Sequence, residues 1–151
     1  MKTLLIVYHS QSGASAGLAR ELWRGAREEG SVDVRVMRAW DCGTLDVLEA
    51  HGLALVAPEN AGALGGGMKD FLDRVFYPAI DRQLVLPYAL VISAGNDGRN
   101  ARAQVQRMVS GIPFTEATPP LICRGEVSEG HRRECRELGQ ALAAGLEMGI
   151  F

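Results

Sequence analysis

The stretch "YHSQSGASAG", residues 8–17, follows the apolar run "TLLIV" (3–7) and leads into residues with helical spacing. Its reading decides the fold. A strand that hands over to a helix through a short turn gathers unpaired backbone N–H groups and the positive end of the helix dipole at one point. Small hydroxylated residues at such a point mark an anion site, and phosphate suits it best. Ser12 alone would read as a helix N-cap. Three hydroxyls in the order Ser10-x-Ser12-Gly13-x-Ser15 favour phosphate instead, with Gly13 letting the backbone turn its N–H groups inward. The turn contains no Lys or Arg, which separates it from the phosphate loops of nucleoside triphosphatases.

Working outward, five short apolar runs read as strands: "TLLIVY" (3–8), "VDVRVM" (32–37), "LALVAP" (53–58), "YALVISA" (88–94) and "PPLIC" (119–123). The first, third and fourth are nearly continuous in apolar residues, as parallel strands covered on both faces are. The second alternates Val32, Val34 and Val36 with polar neighbours and reads as an edge strand. Between the strands lie helical patterns. Met68, Phe71, Leu72, Val75 and Phe76 keep the i, i+3, i+4, i+7, i+8 rule, and Pro78 is expected to end that helix. Leu18, Leu22 and Ala26 mark a second helix, Ala101, Val105, Met108, Val109 and Ile112 a third, and Leu138, Leu142 and Leu146 a fourth. A shorter helix is expected over 44–50. Alternation of strand and helix through the chain predicts an α/β fold, a doubly wound five-stranded parallel sheet in the order 2-1-3-4-5, over one domain spanning 1–151. Its switch point lies between strands one and three, so a ligand is expected at the carboxyl ends of the strands there.

Three loops fall at that edge: "HSQSGAS" (9–15), "PENAGALGGG" (58–67) and "SAGNDGRN" (93–100). Gly62 and Gly67 have the separation of a P-loop, but Met68 precedes Lys69 and Asp70 stands where a hydroxyl is needed, so that motif is discarded. Gly65, Gly66 and Gly67 read equally as a mobile loop or as room for a ligand. Asn96–Gly98 also reads as a turn or helix cap. His9 is expected to be a solvated loop residue, Trp23 a packing residue and Trp40 a peripheral core residue.

With these residues in view, "SQSGAS" after a first strand resembles the phosphate loop of flavodoxin-like proteins, Ser/Thr-x-Ser/Thr-Gly-x-Ser/Thr. That resemblance implies FMN, its phosphate wrapped by Ser10, Gln11, Ser12, Gly13, Ala14 and Ser15. The second loop is similar to the Pro-Glu-Tyr-Asn-Gly-like stretch of NAD(P)H-dependent FMN and quinone reductases, here Pro58-Glu59-Asn60-Ala61-Gly62 followed by Ala63. It lacks the aromatic residue after the glutamate. The implied role is to carry the flavin ring, with the amides of Asn60 to Ala63 meeting its pyrimidine edge. The third loop resembles the third flavin-contacting loop of the same family and adds Ser93, Ala94, Gly95, Asn96, Asp97 and Gly98.

The resemblance implies an FMN-binding oxidoreductase in which NADH or NADPH reduces the flavin and a quinone, flavin or similar small acceptor oxidises it. The cofactor carries that chemistry, so no catalytic side chain is named. Two alternatives stand beside it: a flavodoxin-type electron carrier acting with protein partners, and a non-catalytic flavodoxin-like domain for phosphate binding or regulation. Carriers of this type are usually strongly acidic, and the net charge here is only −2. A phosphoryl receiver fits poorly, since Tyr8, His9 and Ser10 stand where its acidic residues belong.

The sixteen Lys and Arg residues are scattered among eighteen Asp and Glu residues, which gives no footprint for nucleic acid. No apolar run is long enough for a membrane span. Cys42, Cys123 and Cys135 form no CxxC pair and do not cluster with the histidines, so no metal and a reduced, cytoplasmic setting are expected. Cys42 and Cys123 read as small apolar residues. The chain is short for a nicotinamide pocket, so a homodimer that completes it is part of the expectation.

Overall fold

The computed structural model describes all 151 residues, Met1–Phe151. The strands are β1 (Thr3–Tyr8), β2 (Asp33–Arg38), β3 (Gly52–Asn60), β4 (Ala63–Leu64), β5 (Pro87–Ala94), β6 (Thr115–Glu116) and β7 (Leu121–Arg124). The helices are α1 (Ala14–Glu29), α2 (Thr44–Leu48), α3 (Gly66–Asp81), α4 (Arg99–Gly111) and α5 (Glu129–Met148), with a 3-10 turn over Ala39–Asp41. Strands pair in the order β2-β1-β3-β5, and both β6 and β7 pair with β5. All these pairings are parallel. The expected order 2-1-3-4-5 is therefore present, with its fifth position shared by two short pieces. Pro119 and Pro120, expected to open the fifth strand, lie in the gap between them, because proline has no N–H to give to β5.

Side chains alternate strictly across the inner strands. Leu5 and Val7 of β1, Leu53, Leu55 and Ala57 of β3, and Leu90 and Ile92 of β5 pack with Val47 of α2, Met68, Phe71, Leu72 and Val75 of α3, and Val105 and Val109 of α4. Leu4, Ile6, Ala54, Val56, Ala89 and Val91 point the other way, onto Leu18, Leu22 and Ala26 of α1 and Leu142, Ala143 and Leu146 of α5. This double coverage is what the unbroken apolar runs require. β2 has only β1 beside it and is largely exposed, as its alternating pattern indicates.

Pro78 does not end the helix. α3 runs on to Asp81, because buried Ala79 holds the last turn against the core and Arg82 N–H donates to the Pro78 carbonyl at 3.2 Å. One missing helical bond is outweighed by that packing. The short helix is 44–48 rather than 44–50, with the Asp46 carboxylate accepting from the Gly43 N–H at 2.9 Å.

Candidate functional site

Parallel strands place the ends of β1, β3, β5 and β7 on one edge, and there the chain forms a groove of about 510 Å³. From the first loop it is lined by Ser12 and Ala14, from the second by Pro58, Glu59 and Asn60, and from the third by Ser93, Ala94 and Gly95. Gly125, Glu126 and Val127, just after β7, complete it. Sequence reasoning missed these three. The signal was present, since a fifth parallel strand must also end on this edge, with Gly125 (φ 77°) turning the chain there.

The first turn has the geometry its spacing predicts. Gly13 takes φ 101° at the N-cap of α1, and that helix has neither a side-chain cap nor an acidic residue in its first turn. The Ser10 hydroxyl accepts from the Gly13 N–H at 3.2 Å, and the Ser12 hydroxyl accepts weakly from Ala14 at 3.5 Å. The N–H groups of Ser15 and Ala16 donate to nothing in the chain. Two free donors at a positive helix end are the requirement for binding an anion.

Ser15 has its side chain engaged within the chain, while its N–H stays free. It is buried, and its hydroxyl is 2.7 Å from that of Ser93, also buried. The pair bolts the start of α1 to the end of β5. Ser15→Ala would strand the Ser93 hydroxyl and is expected to cost about 1–3 kcal/mol of stability. Ser12→Ala, at an exposed position, should cost less than about 0.5 kcal/mol. Urea unfolding of the two variants tests this, and equal stability would deny Ser15 its structural role.

The second loop is a built hairpin rather than an open loop. β3 continues to Asn60 and β4 returns antiparallel, Glu59 opposite Leu64 and Asn60 opposite Ala63. Ala61 (φ 50°) and Gly62 (φ 75°) form its two-residue turn, both left-handed as a type I′ turn demands. Neighbours hold it on every side. The Asn60 amide donates to Gln11 of the first loop, Asn100 donates to the Gly62 carbonyl, and Leu64 N–H donates to Gln104 at 2.7 Å.

Glu59 turns towards α4. One carboxylate oxygen accepts from the Gly98 N–H at 2.9 Å and the other from Ala101 at 3.0 Å. Gly98 is the N-cap of α4, which lacks an acidic residue in its own first turn. A strand residue thus supplies the negative charge that the helix end attracts. In the third loop the Arg99 guanidinium holds the Asp97 carboxyl below the usual carboxylate range, and Arg124 donates to the Asp97 carbonyl at 2.7 Å. Asn96 and Asp97 lie outside the main groove, in a polar hollow with Arg99 and Arg124.

Of the three glycines, Gly65 and Gly67 are packed against His9, whereas a Cβ on Gly66 would meet nothing within 4 Å. Gly66 and Gly67 begin α3, and a Cβ on Gly67 would lie 2.2 Å from the His9 ring. His9 is buried, not solvated, with its ring edge-on to Trp40 at 5.8 Å. Trp40 in turn is 56% exposed and not a core residue, because the 3-10 turn carries it past the end of β2. Trp23 is half-buried against the α1/α5 core, as expected. Cys42, Cys123 and Cys135 are all buried, and burial pushes the Cys42 thiol up to about 12.

Comparison with known proteins agrees with this architecture. No family model matches the chain. A flavodoxin of Aquifex aeolicus (strain VF5) is 26% identical over 159 residues, covering 95% of this chain and 86% of that protein. Among solved structures, a flavodoxin from the domain Archaea superposes with a TM-score of 0.85 at 21% identity, covering 96% of this chain and 99% of that one. The two-electron reduced Megasphaera elsdenii flavodoxin gives 0.79 at 22% identity, covering 93% and 98%. The fold is flavodoxin-like. No helix is long and apolar enough to cross a membrane.

Proposed function

We propose that this protein is an FMN-binding electron carrier of the flavodoxin type, with the phosphate seated on residues 10–15 and the ring in the adjoining groove. The observation that carries the reading is the pair of unpartnered N–H groups on Ser15 and Ala16 beside the left-handed Gly13. A dianionic monoester with no cationic side chain in the turn suits neutral donors and a helix end. Ser10 and Ser12 stand next to those donors, and Ser12, Ala14, Pro58, Asn60, Ala94 and Gly95 offer small or neutral surfaces to a flat ring. Bound FMN supplies reversible electron uptake; the chain anchors, orients and partly shields it. The similarity to flavodoxins over nearly the whole chain supports carrier chemistry.

Titration of the apoprotein with FMN and with riboflavin tests the proposal. Two bonds to a charged acceptor, each about 1.5–3 kcal/mol, should make riboflavin bind at least about a hundredfold more weakly. Equal affinities would overturn the phosphate assignment.

One observation keeps the reductase reading in play. The hairpin tip carries Ala61 and Gly62 and so sets no aromatic ring over the groove, while Trp40 is engaged with His9. Anaerobic mixing of the FMN-loaded protein with NADH or NADPH separates the two. For a carrier, neither nicotinamide bleaches the flavin band within minutes, whereas dithionite does. Direct bleaching, reversed by a quinone or free flavin, would put the reductase first.

A further inference from the structure

We propose a second ligand site, for a planar aromatic molecule carrying a carboxylate, in the groove between α1 and the edge strand β2. This groove holds about 340 Å³, within the range of small-molecule pockets. It shares no residue with the groove described above. Tyr8 and Trp23 supply aromatic surface, and Ala19 and Val36 supply apolar surface. Val36 is 38% exposed on a strand with no outer neighbour.

Two arginines lie among these apolar groups. Arg24 is committed to Glu21, at 3.2 Å. Arg20 forms no ion pair with any residue of the chain. No acidic side chain lines the groove to neutralise it. The Trp23 indole is itself steadied by Arg27, whose guanidinium lies 5.0 Å from the ring centroid. A fixed indole, a phenol and an uncommitted guanidinium together favour a ligand that is flat and apolar at one end and anionic at the other. The ring is held by stacking and burial, and the carboxylate by the planar fork of Arg20. A second copy of this chain is a poorer occupant. A two-fold contact sets a patch against itself, and here it would bring Arg20 and Arg24 towards their own counterparts.

The chain has two tryptophans, so its two indole N–H signals in an NMR spectrum report separately on this groove and on Trp40, which does not line it. Titration with 1-naphthoate should move the Trp23 signal saturably and leave Trp40 in place. Arg20→Ala should weaken that binding about tenfold, and neutral 1-naphthalenemethanol should bind the unaltered protein about as weakly. Three outcomes would overturn the proposal: no saturable movement of Trp23, an Arg20→Ala variant that binds naphthoate as well as the parent, or a Trp23 signal that moves with protein concentration alone. The last would make the groove a self-interface.

Discussion

Gly139→Ala is expected to lower the unfolding free energy by at least about 3 kcal/mol, the upper end of what an overpacked core costs. Helices α1 and α5 cross at two glycines. A Cβ on Gly139 would lie 2.0 Å from the Leu22 carbonyl oxygen, and one on Gly25 would lie 1.9 Å from that of Arg136. Both obstacles are backbone, so no rotamer change relieves them, and the helices must separate. Separation would loosen the packing of Leu18 and Leu22 against Leu142 and Leu146. The gain of about 1 kcal/mol in helix propensity from glycine to alanine does not offset this. Gly17→Ala is the control, because Gly17 is also in α1 but a Cβ there meets nothing within 4 Å; it should stabilise by up to about 1 kcal/mol. Urea unfolding of both variants decides the matter. A Gly139→Ala protein as stable as its parent would mean that the helices do not cross this closely.

The second large effect is expected at Glu59. Glu59→Ala removes both acceptors from the N-terminus of α4 and leaves the Gly98 and Ala101 N–H groups without their partner. Loss of a charge-assisted cap of this kind should cost about 2 kcal/mol. The damage should be local as well as global. The hairpin 58–64 is fastened to α4 through Asn100 and Gln104, so fraying of the first turn of α4 frees one wall of the groove. Hydrogen exchange at Gly98 and Ala101 should accelerate beyond the global change, and FMN affinity should fall with it. Glu59→Gln should be intermediate, since Gly98 and Ala101 donate to different carboxylate oxygens and the amide replaces one of them with an NH2 group that cannot accept. Unchanged exchange at both amides would show that the carboxylate is not the cap.

Local sequence carried much of this. The unbroken apolar runs of β1, β3 and β5 required helices on both faces. Alternation in β2 marked the edge, and Ser-Gly spacing in 10–15 marked a turn with free N–H groups at a helix start. These features depend on side-chain period and on the conformational freedom of one glycine, and both are written locally. The direction in which Glu59 points, the pairing of Ser15 with Ser93, and the burial of His9 over Gly67 were not legible. Each joins residues 39 to 78 positions apart or fills space that another element vacates. The extension of α3 past Pro78 has the same origin, since burial of Ala79 outweighs a local break signal. Gly125–Val127 joined the groove only because β7 runs parallel to β5 and ends on the same edge. The sequence by itself therefore determined the order of elements, the faces they bury and the phosphate-like turn. The tertiary structure decided which polar groups are spent on holding the fold and which N–H groups are left free for a ligand, because hydrogen-bond partners are assigned only when distant segments meet.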